Sequence, residues 1–172
     1  MSSSKKDFEK IYDTYVERIY RFVFIKVNST EIAEDLTSET FLRTWQKYKN
    51  KDNKIENIQA FLYQTARNLV IDYYRDKGRT QLISLDYVPL SDNNNVEEIA
   101  QKKSDLEKIK SSLSKLNDDY QNIIIWHYID DLSIEEISKM LNKSQGAVRV
   151  ALHRAIKSLK NIMNEEIERN IS

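Results

Sequence analysis

The sequence predicts an all-α protein, and three observations support this fold class. Of 172 residues only 2 are Gly and 1 is Pro, so the turns that an all-β fold needs are scarce. Ile, Leu, Lys, Glu and Asn dominate the chain, a composition typical of helical proteins. Apolar residues recur at three- and four-residue spacing in several segments. We therefore expect two small helical bundles joined by a flexible linker.

The composition also argues against several classes of function. Cys is 0, which excludes disulfides, thiolate metal sites and thiol nucleophiles, and 2 His argue against a His-based metal site. We find no phosphate-binding loop and no nucleophile–base pair, so we predict no enzymatic activity, no cofactor and no metal. The first ten residues have no apolar signal core, and the longest apolar run, Ile123–Trp126, is too short to span a bilayer. We expect a cytoplasmic protein without membrane insertion.

The first domain is predicted over residues 7–78, after a disordered N-terminus at residues 1–6. Its apolar periodicity indicates three helices. Thr30 follows the polar break after the first helix and is the expected N-cap of the second. The Asn-rich segment Lys49–Asn57 is read as a loop before the third helix. The expected helix boundaries are 7–28, 30–48 and 57–77.

The composition of the sequence changes after the third helix. Residues 79–104 contain the one proline, Pro89, and the run Asn93–Asn95. We interpret this stretch as the linker. Helical patterns then resume, and the second domain is predicted over residues 105–165, followed by a C-terminal tail at residues 166–172.

Two helices of the second domain meet at a tight joint, "LNKS". Ser133 with Glu136 three residues later forms a capping-box pattern, which starts the shorter helix. Asn142 is the expected turn residue, because Asn tolerates the left-handed backbone conformation better than other residues except Gly. Ser144 is the expected cap of the longer helix. A short helix, a tight turn and a longer helix predict a helix-turn-helix motif.

The charge of this region is strongly divided. Residues 117–136 contain six acids and no Lys or Arg, whereas residues 139–160 contain six Lys or Arg and no acid. A helix that lies in the major groove is flanked by phosphates, so basic residues around it favour binding to DNA. From this pattern alone, an ordinary helical hairpin with a solvated basic face stays open as an alternative.

Three blocks of the sequence resemble the extracytoplasmic-function sigma factors of bacterial RNA polymerase. "LNDDYQNIIIWHYIDDLSIEEISKMLNKSQGAVRVALHRAIKSLK" resembles their domain four, "AEDLTSETFLRTW" the core-binding helix of their domain two, and "AFLYQTARNLVIDYYRDKGR" the helix that reads the promoter −10 element. The blocks occur in the family's order. The resemblance implies an alternative sigma factor that binds core polymerase through the β′ clamp helices and the β flap. It would direct promoter recognition, melting and initiation, and an anti-sigma factor would be a further partner.

The resemblance implies two sets of binding residues in the first domain. The set facing the β′ clamp helices combines two acids with apolar neighbours: Asp35, Glu39, Phe41, Leu42 and Trp45. The set for the melted −10 element is Asn68, which would line the pocket of a flipped base, with Tyr63, Arg67, Arg75, Lys77 and Arg79. An amide suits this role because it offers donors and an acceptor to an unstacked base. Without the resemblance, the two acids read as a solvated helix face, and a core role for Tyr63 is equally open.

In the second domain, the resemblance places the reading of the −35 element on the longer helix. Arg149 matches the central reader, and Arg is suited to bidentate contact with guanine. Val150 departs from the family, where polar or basic residues are common, and an apolar group there would touch thymine methyls or read less. The full predicted set is Ser144, Gln145, Arg149, Val150, His153, Arg154 and Lys157.

Two other classes of function compete with this interpretation. A stand-alone helix-turn-helix regulator would bind a palindrome without polymerase, and a helical adaptor would bind only protein. The "AEDLTSETF" block and the context of Asn68 favour the sigma factor. A linker of about 25 residues reaches ~80–90 Å at ~3.3–3.6 Å per residue. That length exceeds two turns of duplex at ~34–36 Å each, as two separated promoter elements require.

Overall fold

The computed structural model describes residues 3–52, 54–77 and 109–171. Every regular element in these ranges is helical, which confirms the predicted fold class. The predicted linker and Arg79 lie outside the described residues. The helices are α1 (Ser3–Val27), α2 (Thr30–Tyr48), α3 (Ile58–Lys77), α4 (Asp118–Ile124), α5 (Ile134–Leu141) and α6 (Gln145–Ile171), with a further helical segment at 109–114 and a π-helical turn at Ile125–Ile129.

The first domain consists of α1, α2 and α3, which pack against one another around buried residues such as Phe22, Ala33 and Leu62. Asn28 adopts a left-handed backbone with φ 53°, which permits the tight joint between α1 and α2. The N-cap of α2 is Ser29, whose hydroxyl accepts the Ile32 N–H. The cap lies one residue before the predicted Thr30, because Ser29 has the extended backbone that a cap needs.

The two chain ends are more helical than predicted. Residues 3–6 belong to α1, so the prediction of a disordered N-terminus was wrong for them. The sequence there contains no helix breaker, and the Ser3 hydroxyl donates to the Asp7 carboxylate one turn on. At the other end α6 continues through Ile171, into the predicted tail. Glu166 holds this extension to the domain, because it accepts the Ser112 hydroxyl and pairs with Lys115.

The tight joint of the second domain has the geometry that its sequence predicts. The Ser133 hydroxyl accepts the Glu136 N–H at 3.0 Å, and the Glu136 carboxylate accepts the Ser133 N–H at 2.9 Å. Asn142 is left-handed, with φ 53° and ψ 46°. The Ser144 hydroxyl accepts the Ala147 N–H at 3.1 Å and so caps α6. The capping box, the Asn turn and the second cap are all confirmed.

A π-helical turn at Ile125–Ile129 follows α4 directly. The Asp130 N–H donates to the Ile125 carbonyl, five residues back, at 3.0 Å. A π turn inserts one extra residue and changes which side chains share a face. Here Trp126 and Asp130 are both buried, and both contact the first domain.

The second domain, from residue 109 onward, packs directly against the first. The Trp126 ring lies 6.0 Å from Phe22 and 6.2 Å from Tyr63, between ring centroids. Gln64 on α3 donates its amide to the Met140 carbonyl at the end of α5. The sequence predicts the two bundles but not these contacts, which join them into one body.

Candidate functional site

The residues predicted to read the −35 element lie on one broad side of α6. The other side of this helix is buried through Val148, Leu152 and Ala155, so the domain core fixes its rotation. The whole predicted set is exposed: Ser144, Gln145, Arg149, Val150, His153, Arg154 and Lys157. The Arg149 guanidinium lies 3.4 Å from the Gln145 side-chain oxygen one turn back. This side of α6 thus presents donors and cations at the surface.

The residues predicted to contact core polymerase lie on α2, and they divide into two groups. Asp35, Glu39 and Leu42 follow helical spacing along the outer side, where Leu42 is 50% exposed. Glu39 is half-buried and pairs with Arg43 at 2.7 Å. Phe41 and Trp45 instead turn toward α1. The Phe41 ring lies 4.9 Å from that of Tyr12, and the Trp45 ring lies 5.1 Å from that of Phe8, between ring centroids.

An open depression lies beside Phe41, Leu42 and Trp45 on the surface of the first domain. Its volume is 330 Å³, and Phe8, Phe41, Leu42 and Trp45 line it together with two charged side chains of α1. An exposed Leu beside an apolar depression is typical of a surface that binds protein. The aromatic pairs therefore shape the depression, and Leu42 forms its exposed edge.

The residues predicted to contact the −10 element share α3 but differ in exposure. Asn68 and Lys77 are exposed, and Arg75 is exposed while it pairs with Asp72 at 2.8 Å. Tyr63 is fully buried. Its hydroxyl donates to the Asp130 carboxylate of the second domain at 3.1 Å. Burial and the Asp130 charge raise the pKa of Tyr63, so its hydroxyl stays a donor.

Arg67, one residue before Asn68, is occupied by acids of the second domain. Its guanidinium lies 3.3 Å from the Asp118 carboxylate and 2.9 Å from that of Asp119. Asp118 also accepts a hydrogen bond from Lys26 at 3.1 Å. Burial would raise the pKa of Asp118, but Lys26 and Arg67 outweigh it and the pKa is lowered. Asp118 is therefore ionised at neutral pH.

Lys26 and Asp130 are the most deeply buried charged groups between the domains. Lys26 is 1% exposed, and it also donates to the Gln121 side chain at 3.0 Å. Burial lowers the pKa of Lys26 to about 8, although the Asp118 charge opposes the shift. Asp130 accepts from Arg21 as well as from Tyr63, with 2.8 Å between the closest Arg21 and Asp130 atoms. Burial raises the pKa of Asp130, and the charge of Arg21 limits the rise.

Sequence reasoning missed the groups that join the domains: Arg21, Lys26, Asp118, Asp119 and Asp130. The sequence contains one indication of these buried charged groups. Lys26 interrupts the apolar run "FVFIKV", and a cation inside such a run requires a buried partner. The acidic block at residues 117–136 supplies that partner, but the sequence alone does not say which acid.

A groove of 710 Å³ lies along the second domain, and Arg67 is the lining residue that the first domain contributes. Asp119, Val150 and Arg154 also line it, with Trp126 among the apolar residues of the lining. Residues predicted for two different DNA elements thus face the same groove.

Two further properties concern the described residues alone. No helix among residues 3–52, 54–77 and 109–171 is long and apolar enough to cross a membrane. The same ranges contain no group of three or more His, Cys, Asp or Glu side chains that is placed to hold a metal ion.

The fold and these surfaces define a two-domain, all-helical protein with an exposed helix-turn-helix and candidate nucleic-acid surfaces on α6 and α3. Comparison with known proteins gives the family. The profile for Sigma-70 region 2 matches residues 11–80, and that for Sigma-70 region 4 matches residues 106–159. The chain belongs to the extracytoplasmic-function sigma factors of the sigma-70 family.

Individual relatives match along most of the chain. It is 30% identical to the ECF RNA polymerase sigma factor SigM of Bacillus subtilis (strain 168), over 92% of this chain and 96% of SigM. It is 27% identical to SigX of the same organism, over 92% of this chain and 84% of SigX. The chain is therefore an alternative sigma factor that directs transcription initiation, with core RNA polymerase and promoter DNA as its partners.

Solved structures share the fold. The sigma factor RpoE in complex with the anti-sigma factor NepR from Bartonella quintana aligns with a TM-score of 0.65 at 21% identity, over 92% of this chain and 98% of RpoE. CnrH in complex with the cytosolic domain of CnrY aligns with a TM-score of 0.61 at 18% identity, over 94% of this chain and 90% of CnrH.

Proposed function

We propose that this sigma factor reads its promoter with two separate surfaces and holds the polymerase with a third. The main support for the proposal is that α6 has one buried side and one exposed side. Its core side is closed by Val148, Leu152 and Ala155, and every residue predicted to face the −35 element is exposed on the remaining surface. A helix whose rotation is fixed in this way can enter the major groove with the same side chains each time.

On α6 the roles follow from position and chemistry. Arg149 is the base reader, because its guanidinium forms two parallel hydrogen bonds with guanine. Arg154 and Lys157 lie one and two turns further along and bind phosphates. Ser144 and Gln145 stand at the helix N-terminus, where side chains and amides meet the DNA backbone. Val150 is 50% exposed and contacts a thymine methyl.

On α3 the −10 contacts centre on Asn68. Its exposed amide captures a base that has left the stack, while Arg67, Arg75 and Lys77 bind the phosphates of the melted strand. Arg79 completes this set from outside the described residues. Tyr63 joins it only when the second domain moves away, because the side chain is now fully buried.

On α2 the acids and the apolar edge bind the β′ clamp helices of core polymerase. Asp35 is exposed and Leu42 is 50% exposed, so both are available to a partner without rearrangement. Glu39 exchanges its pairing with Arg43 for a cation of the polymerase. The complex acts at the nucleoid, and we expect an anti-sigma factor among the partners, as in the RpoE structure.

The decisive experiment is a pull-down of core polymerase by the double variant Asp35→Arg, Glu39→Arg. We expect binding to be abolished, because two cations replace the two acids on one helix face. The matched control, Asp76→Arg with Glu165→Arg, makes the same change in charge at exposed positions outside α2 and should bind normally. If the folded double variant binds core polymerase as well as the control does, α2 is not the polymerase surface.

A further inference from the structure

The apolar depression beside α2 has a second wall, which belongs to α1. The Phe8 ring of α1 lies 5.1 Å from that of Trp45 and 5.5 Å from that of Tyr48, between ring centroids. The residues proposed to bind core polymerase all lie on α2, so the α1 wall has no assigned role. The two helices contribute three lining residues each: Lys5, Phe8, Glu9, Phe41, Leu42 and Trp45.

The depression is continuous with the acidic face of α2. Leu42 lies three residues after Glu39 and three before Trp45, so on the helix surface it stands between these two side chains. Leu42 is 50% exposed. On the α1 side, Tyr12 is 45% exposed, and its ring lies 4.9 Å from that of Phe41. Apolar surface therefore extends from the acids of α2 across the depression to α1.

The lining of the depression suits an apolar side chain better than DNA. In the described part of the chain its charged lining residues are Lys5 and Glu9, which have opposite charges and give phosphate no net attraction. Aromatic residues around an apolar pocket are typical of the centre of a protein interface. The volume of 330 Å³ is at the lower end of the range for small-molecule sites, about 300–1,000 Å³, and the depression is open. A side chain inserted by a protein partner fits these properties.

The spacing along α2 defines what that partner carries. Glu39 and Trp45 are six residues apart, which corresponds to ~9 Å along the helix at ~1.5 Å per residue. A partner helix that lies along α2 would place a cation at Glu39 and an apolar side chain at the depression. The two side chains would be about six or seven positions apart on the partner helix, since its rise per residue is the same.

We propose that the depression between α1 and α2 receives one apolar side chain of core RNA polymerase, carried on the helix that meets the acids of α2, and that Phe8 is an anchor of this contact. The inference rests on the proposed role of α2 in binding polymerase. It extends that surface to α1 and divides the contact into two parts. The acids select and orient the partner through charge, whereas the depression adds affinity through burial of apolar surface.

Two variants change the depression in opposite ways. Phe8→Ala removes its α1 wall. Glu9→Trp places a ring at the exposed rim, where it fills the space without removing a packed group. The matched control, Glu17→Trp, is the same substitution at an exposed position of α1 that does not line the depression. Circular dichroism establishes that each variant is folded.

Affinity for core polymerase is measured by competition. Each unlabelled variant displaces a dye-labelled sigma factor from core enzyme, and fluorescence anisotropy follows the displacement. The natural chain has 0 Cys, so Asn170→Cys at an exposed position accepts the dye specifically. We expect Phe8→Ala and Glu9→Trp to bind about tenfold or more weakly than the wild type, and Glu17→Trp to bind within about twofold of it.

The salt dependence of binding separates an anchor from a residue that only holds α2 in place. Phe8→Ala removes no ion pair with the polymerase, so the affinity should fall with added salt as steeply as in the wild type. A displaced α2 would instead misplace Asp35 and Glu39 and weaken this dependence. The same competition assay at several salt concentrations gives the slope for each variant.

Two results would overturn the proposal. If Glu9→Trp binds core polymerase as tightly as Glu17→Trp does, no side chain enters the depression. If Phe8→Ala binds more weakly and also loses the salt dependence, Phe8 positions the acids and is not an anchor. The variant Asp35→Arg, Glu39→Arg separates these failures from that of the proposed function. If it also binds normally, α2 is not the polymerase surface, and if it alone loses binding, the contact is confined to the acids of α2.

Discussion

The two proposed DNA surfaces of this sigma factor differ in how exposed their arginines are. On α6, Arg149 is exposed, and its nearest polar partner is a neutral side chain of the same helix. On α3, Arg67 has a side chain that is 32% exposed and two carboxylates within 3.3 Å. The same chemical group is available in one domain and occupied in the other. The exposure of each arginine therefore depends on the arrangement of the domains as well as on its position along a helix.

The difference has a physical origin in what each helix buries. The inner side of α6 faces the core of its own domain, which leaves the outer side open. On α3 the buried face extends beyond its own domain to Trp126, which contacts both Tyr63 and Phe22. Changes on the two surfaces should consequently differ in their effect on stability.

The largest expected effect is that of Trp126→Ala. This change removes a buried aromatic ring from the contact between the domains, and it should lower the free energy of unfolding by about 3–5 kcal/mol. The control, Val150→Ala on the exposed side of α6, should change it by less than about 0.5 kcal/mol. Urea denaturation followed by circular dichroism measures both. Similar small losses in the two variants would contradict the packing described here.

The buried Lys26 should make the free energy of unfolding depend on pH. Burial lowers the pKa of Lys26 to about 8 from an ordinary 10.5. Between these values the unfolded chain holds more protons on this group than the folded chain does. The contribution of Lys26 to the free energy of unfolding should therefore rise with pH, by up to about 3 kcal/mol between pH 8 and 10.5, and stay constant below that window.

The measurement is urea denaturation between pH 7 and 10.5 for the wild type, Lys26→Met and Lys157→Met. The difference between the wild type and Lys26→Met should change across the window, since every other titrating group is common to both. Lys157→Met, at an exposed position, is the control for replacing a lysine by methionine as such. If the free energies of unfolding of the wild type and Lys26→Met differ by the same amount at every pH, the Lys26 ammonium group is not buried in solution.

A smaller effect is expected for the available arginine. Arg149→Ala should weaken binding to a duplex carrying the −35 element by about 1–3 kcal/mol and relax the preference at one base pair. It should leave the free energy of unfolding unchanged, since the side chain is exposed. Arg75→Ala, an exposed arginine of the first domain, is the control and should leave this binding intact. If Arg75→Ala weakens binding to the −35 duplex as much as Arg149→Ala does, the assignment of base reading to α6 is wrong.

Local features of the fold were predictable from the sequence, and contacts between distant segments were not. The capping box at Ser133, the left-handed Asn142 and the exposed side of α6 each follow from a few neighbouring residues. The π turn at Ile125–Ile129 has no recognisable sequence pattern, because the same residues are equally compatible with an ordinary α-helix. The ion pair of Arg21 with Asp130 joins residues 109 positions apart, and no periodicity encodes such a pairing.

In the candidate sites, too, the sequence predicts which residues are involved but not the contacts between the domains. The family blocks predict which residues face DNA and polymerase, and most of them lie on exposed surfaces. The blocks do not predict that Tyr63 is buried or that Arg67 is paired with acids of the second domain. Those facts depend on how the domains meet, which is set by shape and charge across both of them.

The central claim is that the second domain covers part of the proposed −10 surface of the first and leaves its own proposed reading surface exposed. Arginine-selective labelling of the free protein with phenylglyoxal, followed by mass spectrometry, tests it most directly. Arg21 and Arg67 should react several-fold more slowly than Arg149. Arg75, which is paired on α3 but remains 71% exposed, should react as fast as Arg149. If Arg21 and Arg67 react as fast as Arg149, the domains are apart in solution and the account is wrong.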